Sequence, residues 1–200
     1  FAQVTNPPID SIRERSVMSV NMFLGGRLGL FEELPQSAGL VKSESPILFN
    51  NEVDSLFDVD HLKHRVVRLD VTYDASAGAS GLQNAVEELK NRATSTVDSK
   101  SAKVLILTDR AVSKDRVAIP MLLAVGAIHQ ILVKAGLRMK CDLVAETGEA
   151  RDVHQFACLL GFGANAVNPH IALAVMKNFA DSGELEGIDA NKAYANYRGA

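Results

Sequence analysis

The chain has 200 residues, 47% of them hydrophobic and 22% charged, and a formal net charge of -3. That is enough apolar material for one core or a core with an appendage. The Lys and Arg are dispersed and only 6% of residues are aromatic, which excludes a basic, base-stacking nucleic-acid platform. No apolar run approaches the ~20 residues that span a bilayer. The longest, Ala118 to Val133, is interrupted by Pro120, Gly126, His129 and Gln130. Cys141 and Cys158 lie in apolar runs outside any CxxC or zinc spacing, and both read as buried, reduced thiols in a reducing compartment. The opening FAQVTNPPID carries neither an initiator Met nor a targeting pattern and reads as cut from a longer polypeptide.

Asn6 precedes Pro7 and Pro8 and is pushed toward extended backbone. Asp10 suits an N-cap, and a helix is expected from Ser11 towards Leu24, with Val17, Val20 and Leu24 on one face and Gly25 and Gly26 ending it. Arg13, Glu14 and Arg15 group in its first half, suited to solvent or to an interdomain surface beside the stiff TNPP segment. From Arg27 to Arg65 no hydrophobic period is sustained, and the stretch reads as irregular connection with one or two short helices, of the kind that packs on a neighbouring domain or carries function. His61 and His64 have a metal-compatible spacing, but no third ligand accompanies them and they read as exposed polar side chains. The chain thus divides into an amino-terminal helix and irregular interdomain segment, 1–65, and four β/α units, 66–200.

In the first unit Val67, Leu69, Val71 and Tyr73 alternate with Arg68, Asp70 and Thr72, predicting a strand with one polar face, suited to an edge or the inside of an open barrel. Ser80 and Gln83 form a capping box for a helix carrying Leu82, Ala85, Val86, Leu89 and Ala93. The second unit starts with the unbroken apolar run Val104 to Leu107, expected of a strand covered on both faces. Its helix, Met121 to Ala135, is apolar almost all round, which implies burial on more than one side and hence a partner surface. The third unit has a strand at Cys141 to Ala145, Thr147 placed to cap, and a helix with Val153, Phe156, Ala157 and Leu160 on one face. A brief strand, Ala164 to Val167, opens the fourth, in which Asn168 and Pro169 suit the N-cap and first position of a helix bearing Ala172, Val175, Met176 and Phe179. Asp189 caps a last short helix through Tyr194. This alternation predicts an α/β fold of parallel β/α units, a doubly wound sheet or part of a (β/α)8 barrel.

Ligand sites in such folds form at the carboxyl ends of strands, so Asp74, Asp109, Arg110, Glu146, Thr147 and Asn168 are expected to cluster. Glu146 with Glu149, or Asp109 with Arg110, has the chemistry of an acid, a base or an ion pair, but carboxylates near helix N-termini are favoured on electrostatic grounds alone, and the structural reading comes first. Gly161, Gly163 and Ala166 spell GxGxxA in reversed context: a helix ends at the glycines and a strand follows, so the match reads as a helix C-cap and tight turn. No Walker A, GxSxG or HExxH sequence is present.

FAQVTNPPIDSIRE at Phe1 to Glu14, VLILTDR at Val104 to Arg110, IPMLLAVGAIHQILVKAGLR at Ile119 to Arg138 and ETGEARDVHQFACLLGFGANAVNP at Glu146 to Pro169 together closely resemble the central domain of the large subunit of glutamate synthase, with ETGEARDVH nearer the bacterial type. The resemblance implies an incomplete TIM-barrel-like domain within a cytoplasmic oxidoreductase that makes two glutamates from glutamine and 2-oxoglutarate. It implies partners in the same polypeptide, a glutaminase domain and an FMN domain, with a reductase subunit or ferredoxin as electron source. FMN and an iron–sulfur cluster belong to the whole enzyme, and no catalytic, cofactor or metal residue carries over onto this chain. The central domain would be a scaffold and wall of the ammonia channel, with Thr5, Asn6, Pro7, Asp10, Arg13 and Glu14 on the channel or interdomain surface. The contrasting expectation is an independent β/α-barrel enzyme or binding module holding a phosphorylated ligand or flavin at its strand ends.

Overall fold

The computed structural model of the chain describes residues 19–27, 29, 31, 35–99 and 102–200. Its first elements are an antiparallel pair, β1 (Met22–Leu24) and β2 (Val41–Ser43), and a helix, α1 (Asn50–Ser55). Then come β3 (Val66–Asp70), β4 (Thr72–Asp74), α2 (Gly78–Ser99), β5 (Val104–Thr108), β6 (Arg116–Ala118) and α3 (Met121–Lys134). The chain continues with β7 (Asp142–Glu146), α4 (Val153–Gly161), β8 (Ala166–Asn168), α5 (His170–Asp181) and α6 (Ala190–Gly199).

Strands β3, β5, β7 and β8 pair in parallel in that order. Every crossover therefore steps the same way, as in the wall of a (β/α)8 barrel, whereas a doubly wound sheet reverses its order. The predicted α/β class, with parallel units forming an incomplete barrel, is what the chain adopts. Leu105 and Leu107 of β5 face one side, where Leu89, Ala93 and Val97 of α2 and Ala124, Val125, Ile128 and Leu132 of α3 cover them. Val104, Ile106, Val144 and Ala166 face the other side, the interior of a closed barrel, and meet Leu24, Leu48, Val53, Leu56 and Leu62. The stretch read as irregular connection thus fills the interior, and its two short helical turns and α1 are joined by the β1–β2 pair that no periodicity announced. Segment 46–48 also closes the free edge of β8: Ile47 bridges Val167, Leu48 N–H donates to Val167 O, and Val167 N–H donates to Pro46 O.

Several expectations are corrected. The helix placed from Ser11 towards Leu24 falls largely outside the described residues, and its last part is strand, because Leu24 is drawn into the interior cluster while the Gly25 and Gly26 N–H groups bond the buried Asp142 carboxylate at 2.8 and 2.9 Å. The strand over Val66 to Tyr73 is split at Val71. Its first half is the edge strand β3, and its second pairs antiparallel with β6. Helix α2 begins at Gly78, so Ser80 lies inside it and donates to Ala77 O; no capping box with Gln83 forms, and the cap of the preceding turn is Asp74, which accepts from Ser76 N–H. On α4 Phe156 and Leu160 of the predicted face pack on the core beside the buried Leu159, while Val153 and Ala157 are exposed; on α5 Leu173 is buried, Ala172 and Met176 are half-buried, and Val175 and Phe179 are exposed. α3 is buried on one side only, with Leu123 and Val133 exposed. Cys141 is buried as expected, but Cys158 is partly exposed beside His154; both are free. His61 and His64 are exposed, and His64 takes a left-handed turn conformation (φ 64°).

The GxGxxA stretch is the predicted helix end and turn. α4 stops at Gly161 and Gly163 has φ 117°. A Cβ there would stand 2.3 Å from His129 Nδ1, the atom that accepts from Arg138 Nε at 3.1 Å. Burial and the Arg138 guanidinium hold His129 below the ordinary imidazole value, so the ring stays a neutral acceptor. Gly163→Ala is expected to cost about 2–4 kcal/mol, through strain and the displaced ring. Gly183 has φ 79° and open space around it, so Gly183→Ala should cost only about 1 kcal/mol. Urea midpoints of the two variants compare them directly, and equal losses would contradict the packing argument.

Candidate functional site

The register aligns Asp70, Thr108, Glu146 and Asn168 in one row across the carboxyl end of the sheet. Glu146 and Asn168 point toward the interior side, two residues beyond Val144 and Ala166, because side chains alternate along a strand, whereas the Asp70 carboxylate bonds Thr72 and Arg116 of the β4–β6 pair. Glu146 is 1% exposed, and such a carboxylate needs partners. Its Oε1 accepts from Arg110 Nε at 2.9 Å, while Oε2 has no hydrogen bond, the nearest cation being Arg68 Nε at 3.6 Å. Arg110 also donates to Asn50 Oδ1 and Asn168 Oδ1, and Asn168 Nδ2 donates to Leu48 O and Asn50 Oδ1. Arg68 pairs with Asp54 at 2.6 Å and lies over the Phe57 ring. The two arginines therefore lash the sheet end to α1 and its flanks. α6 secures that segment from outside, with Arg198 bonded to Glu52 and stacked on Phe49.

The second part of the cluster is centred on Asp109, just past β5. Its Oδ2 accepts from Thr147 Oγ1 at 2.6 Å and Gly148 N–H at 2.9 Å, and its Oδ1 lies 2.7 Å from His170 Nε2. Burial alone would raise the Asp109 pKa, but the His170, Thr147 and Gly148 bonds outweigh it and hold the carboxyl below its ordinary value. Thr147 Oγ1 in turn accepts from Glu149 N–H, and Glu149 Oε2 accepts from the first N–H of α3, at Met121. One chain of bonds thus joins the ends of β5 and β7 to the starts of α3 and α5.

Of the residues chosen from sequence, Asp109, Arg110, Glu146, Thr147 and Asn168 come together. Asp74 does not; it is exposed and caps a turn. Thr147 is not the cap of α4, a duty that falls to Asp152 with Gln155, nor does Asn168 cap α5, because its side chain is spent on Leu48 and Asn50. Glu146 and Glu149 bond different groups and form no acid–base pair. Thr5, Asn6, Pro7, Asp10, Arg13 and Glu14 lie outside the described residues. His170, Arg68 and Asn50 are additional members. His170 sits two residues past β8, where the strand-end rule points, and Arg68 is on the polar face of the first predicted strand. Asn50 had no signal, because only the chain's return across the interior brings it there.

The donor set limits what the cluster can hold. Gly148 N–H and Thr147 Oγ–H, the natural donors to a phosphate, both face the Asp109 carboxylate, which repels an anion. The site therefore does not fit the phosphate of a flavin. Burial pushes the Cys141 thiol up to about 12, far from the thiolate an iron–sulfur cluster requires. Among the described residues no three His, Cys, Asp or Glu side chains converge as a metal site, and no helix is long and apolar enough to cross a membrane.

The comparison with protein families agrees with this arrangement: residues 1–200 match the model of the glutamate synthase central domain. This chain belongs to that family. It is 40% identical over 99% of its length to ferredoxin-dependent glutamate synthase 2 of Synechocystis, and 41% identical over 96% to the chloroplastic ferredoxin-dependent glutamate synthase of rice. The large chain of the NADPH glutamate synthase of Bacillus subtilis is 36% identical over 98%. The chain spans 12–13% of the length of these relatives. For a chain that matches the glutamate synthase central domain over its whole length, an independent enzyme is not favoured.

Asp109 makes a stability prediction. Its pKa is depressed in the folded state, so its contribution is present above the ordinary carboxylate value and is lost as pH falls through the folded value. Asp109→Asn should lower stability at neutral pH by about 2–4 kcal/mol, leaving His170 and Gly148 poorly matched. It should also flatten the acid side of the stability profile. Denaturation across a pH series checks both, and an unaltered acid limb would show that Asp109 is not the group whose titration matters.

Proposed function

We propose that this glutamate synthase central domain is a noncatalytic scaffold and ammonia-channel wall between a glutaminase domain and an FMN domain of one polypeptide. The whole enzyme would make two L-glutamate from L-glutamine and 2-oxoglutarate in the cytoplasm, with FMN and an iron–sulfur cluster carried by other domains. One observation carries the scaffold reading: the polar groups at the strand ends, where a barrel enzyme binds its ligand, bond one another and fasten the interior segment to the sheet. A channel wall has to be rigid and exclude water, because ammonia that picks up a proton is no longer a nucleophile. Residues 1–65 serve as the interdomain portion in this reading and 66–200 as the body. Thr5, Asn6 and Pro7 line the channel, with Asp10, Arg13 and Glu14 on the adjoining surface; Pro7 and Pro8 supply local stiffness.

The electron donor, a reductase subunit or ferredoxin, is read elsewhere in the polypeptide. Relatives named for ferredoxin and for NADPH resemble this domain to nearly the same degree, 40% and 36%.

The test is made in the full-length enzyme. Thr5→Trp should lower glutamine-dependent glutamate synthesis on the order of tenfold or more while ammonia-dependent synthesis and glutaminase activity persist. Intact glutamine-dependent synthesis would remove Thr5 from the channel.

A further inference from the structure

The outer layer of the domain is uneven. The outward side of α2 is polar, with Glu87, Glu88, Asn91 and Arg92 exposed. On α3 and α4, by contrast, Leu123 is 45% exposed, Val133 50%, Val153 70% and Phe162 55%. Of these, Leu123 and Phe162 line a groove of about 610 Å³ that also runs over Leu122, Gly126 and Ile131, and a second cavity of about 260 Å³, which contains Cys158, adjoins it through the shared Leu122. Gly126 keeps the groove open at its centre, for a Cβ there would approach Phe162 to 3.2 Å. Single exposed apolar residues are ordinary on a protein surface, but a set bordering one groove marks a docking face.

The charge around the groove says what fits it. Among the described residues the charged side chains lining the larger groove are Lys90 and Lys134, while Glu149 of the adjoining cavity is engaged by the Met121 N–H. Lys90 has Glu87 as an exposed partner, and Lys134 is in none of the ion pairs among the described residues. An apolar floor with a basic rim is complementary to an amphipathic helix whose apolar stripe is flanked by carboxylates. A second copy of this chain fits less well, because a two-fold contact on the groove would bring lysine rim against lysine rim. The relatives supply the alternative: the chain spans 12–13% of their length, which leaves most of the polypeptide to provide a cover.

We propose that the α3–α4 groove seats an acidic amphipathic helix from another part of the same glutamate synthase polypeptide. The inference rests on the domain working inside a long chain, and not on its lining a channel. It accounts for a helix that is apolar almost all round yet covered on one side only within the domain.

Coverage is read by thiol labelling in the full-length enzyme. Leu123→Cys, Phe162→Cys and, as an open reference on α2, Asn91→Cys are treated separately with a maleimide, and the labelled peptides are quantified by mass spectrometry. The groove positions should label about 100-fold more slowly than Asn91→Cys, at a rate set by local opening, and should do so at every enzyme concentration. Adding Lys134→Glu, which places a carboxylate against carboxylates, should restore labelling of Leu123→Cys by about tenfold or more. Labelling of both groove positions as fast as the reference overturns the proposal. So does protection that vanishes on dilution, which assigns the face to a second copy, or protection indifferent to Lys134→Glu, which removes the acidic partner. Phe162→Cys carries the test should Leu123→Cys fail to fold. The rates stand whatever Thr5→Trp does to glutamine-dependent synthesis, so the two readings fail separately.

Discussion

A carboxylate buried at the end of a central strand needs partners, and Asp109 has both oxygens bonded to groups from two other elements. Its own position is set by β5, Thr147 and Gly148 belong to the loop after β7, and His170 opens α5. Because Thr147 also receives Glu149 N–H, and Glu149 holds the first N–H of α3, a displacement at any one strand end is felt at the others. The Asp109 carboxylate thus ties the end of β5 to the loop after β7 and to α5.

The same constraint recurs on the interior side. A parallel wall of four strands has two faces to cover, and helices following the strands can reach only one of them. In a closed barrel the opposite strands cover the other. Here Leu24, Leu48, Val53, Leu56 and Leu62 take that position, and the buried ion pair of Glu146 with Arg110, tied to Asn50 and Asn168, fixes where the covering segment lies. Asp142 does the equivalent work at the opposite end of β7, bonding Gly25 and Gly26. The interior face of the sheet is thus filled by the chain's own side chains. The outer layer differs in character along its length, polar on α2 and apolar with lysines at the groove on α3 and α4.

What the sequence by itself determined is the run of β/α units and their class. Val104 to Leu107 is apolar without a break because a central strand is covered on both faces, and α2, α3 and the helix after Asp189 were legible because their periods and breakers agree. The strand-end rule also placed Asp109, Arg110, Glu146, Thr147 and Asn168 at the carboxyl end of the sheet, since strand direction alone dictates which end each occupies; that they divide into one group around Glu146 and another around Asp109 was not legible. Whatever depends on partners distant in sequence was settled by the fold. The β1–β2 pair and the filling of the interior by Leu24, Leu48, Val53, Leu56 and Leu62 carry no local period; they exist because a half-closed sheet must bury its second face. Of the apolar stripe read on α4, Phe156 and Leu160 meet the core and Val153 does not, because periodicity finds a stripe without revealing where its neighbours end. Thr147 and Asn168 were read as caps because a cap is the local use of such side chains. A carboxylate from Asp109 and an interior segment ending at Asn50 compete for the same atoms, and the buried, long-range bonds prevail because leaving those groups unpaired costs more than an exposed helix end.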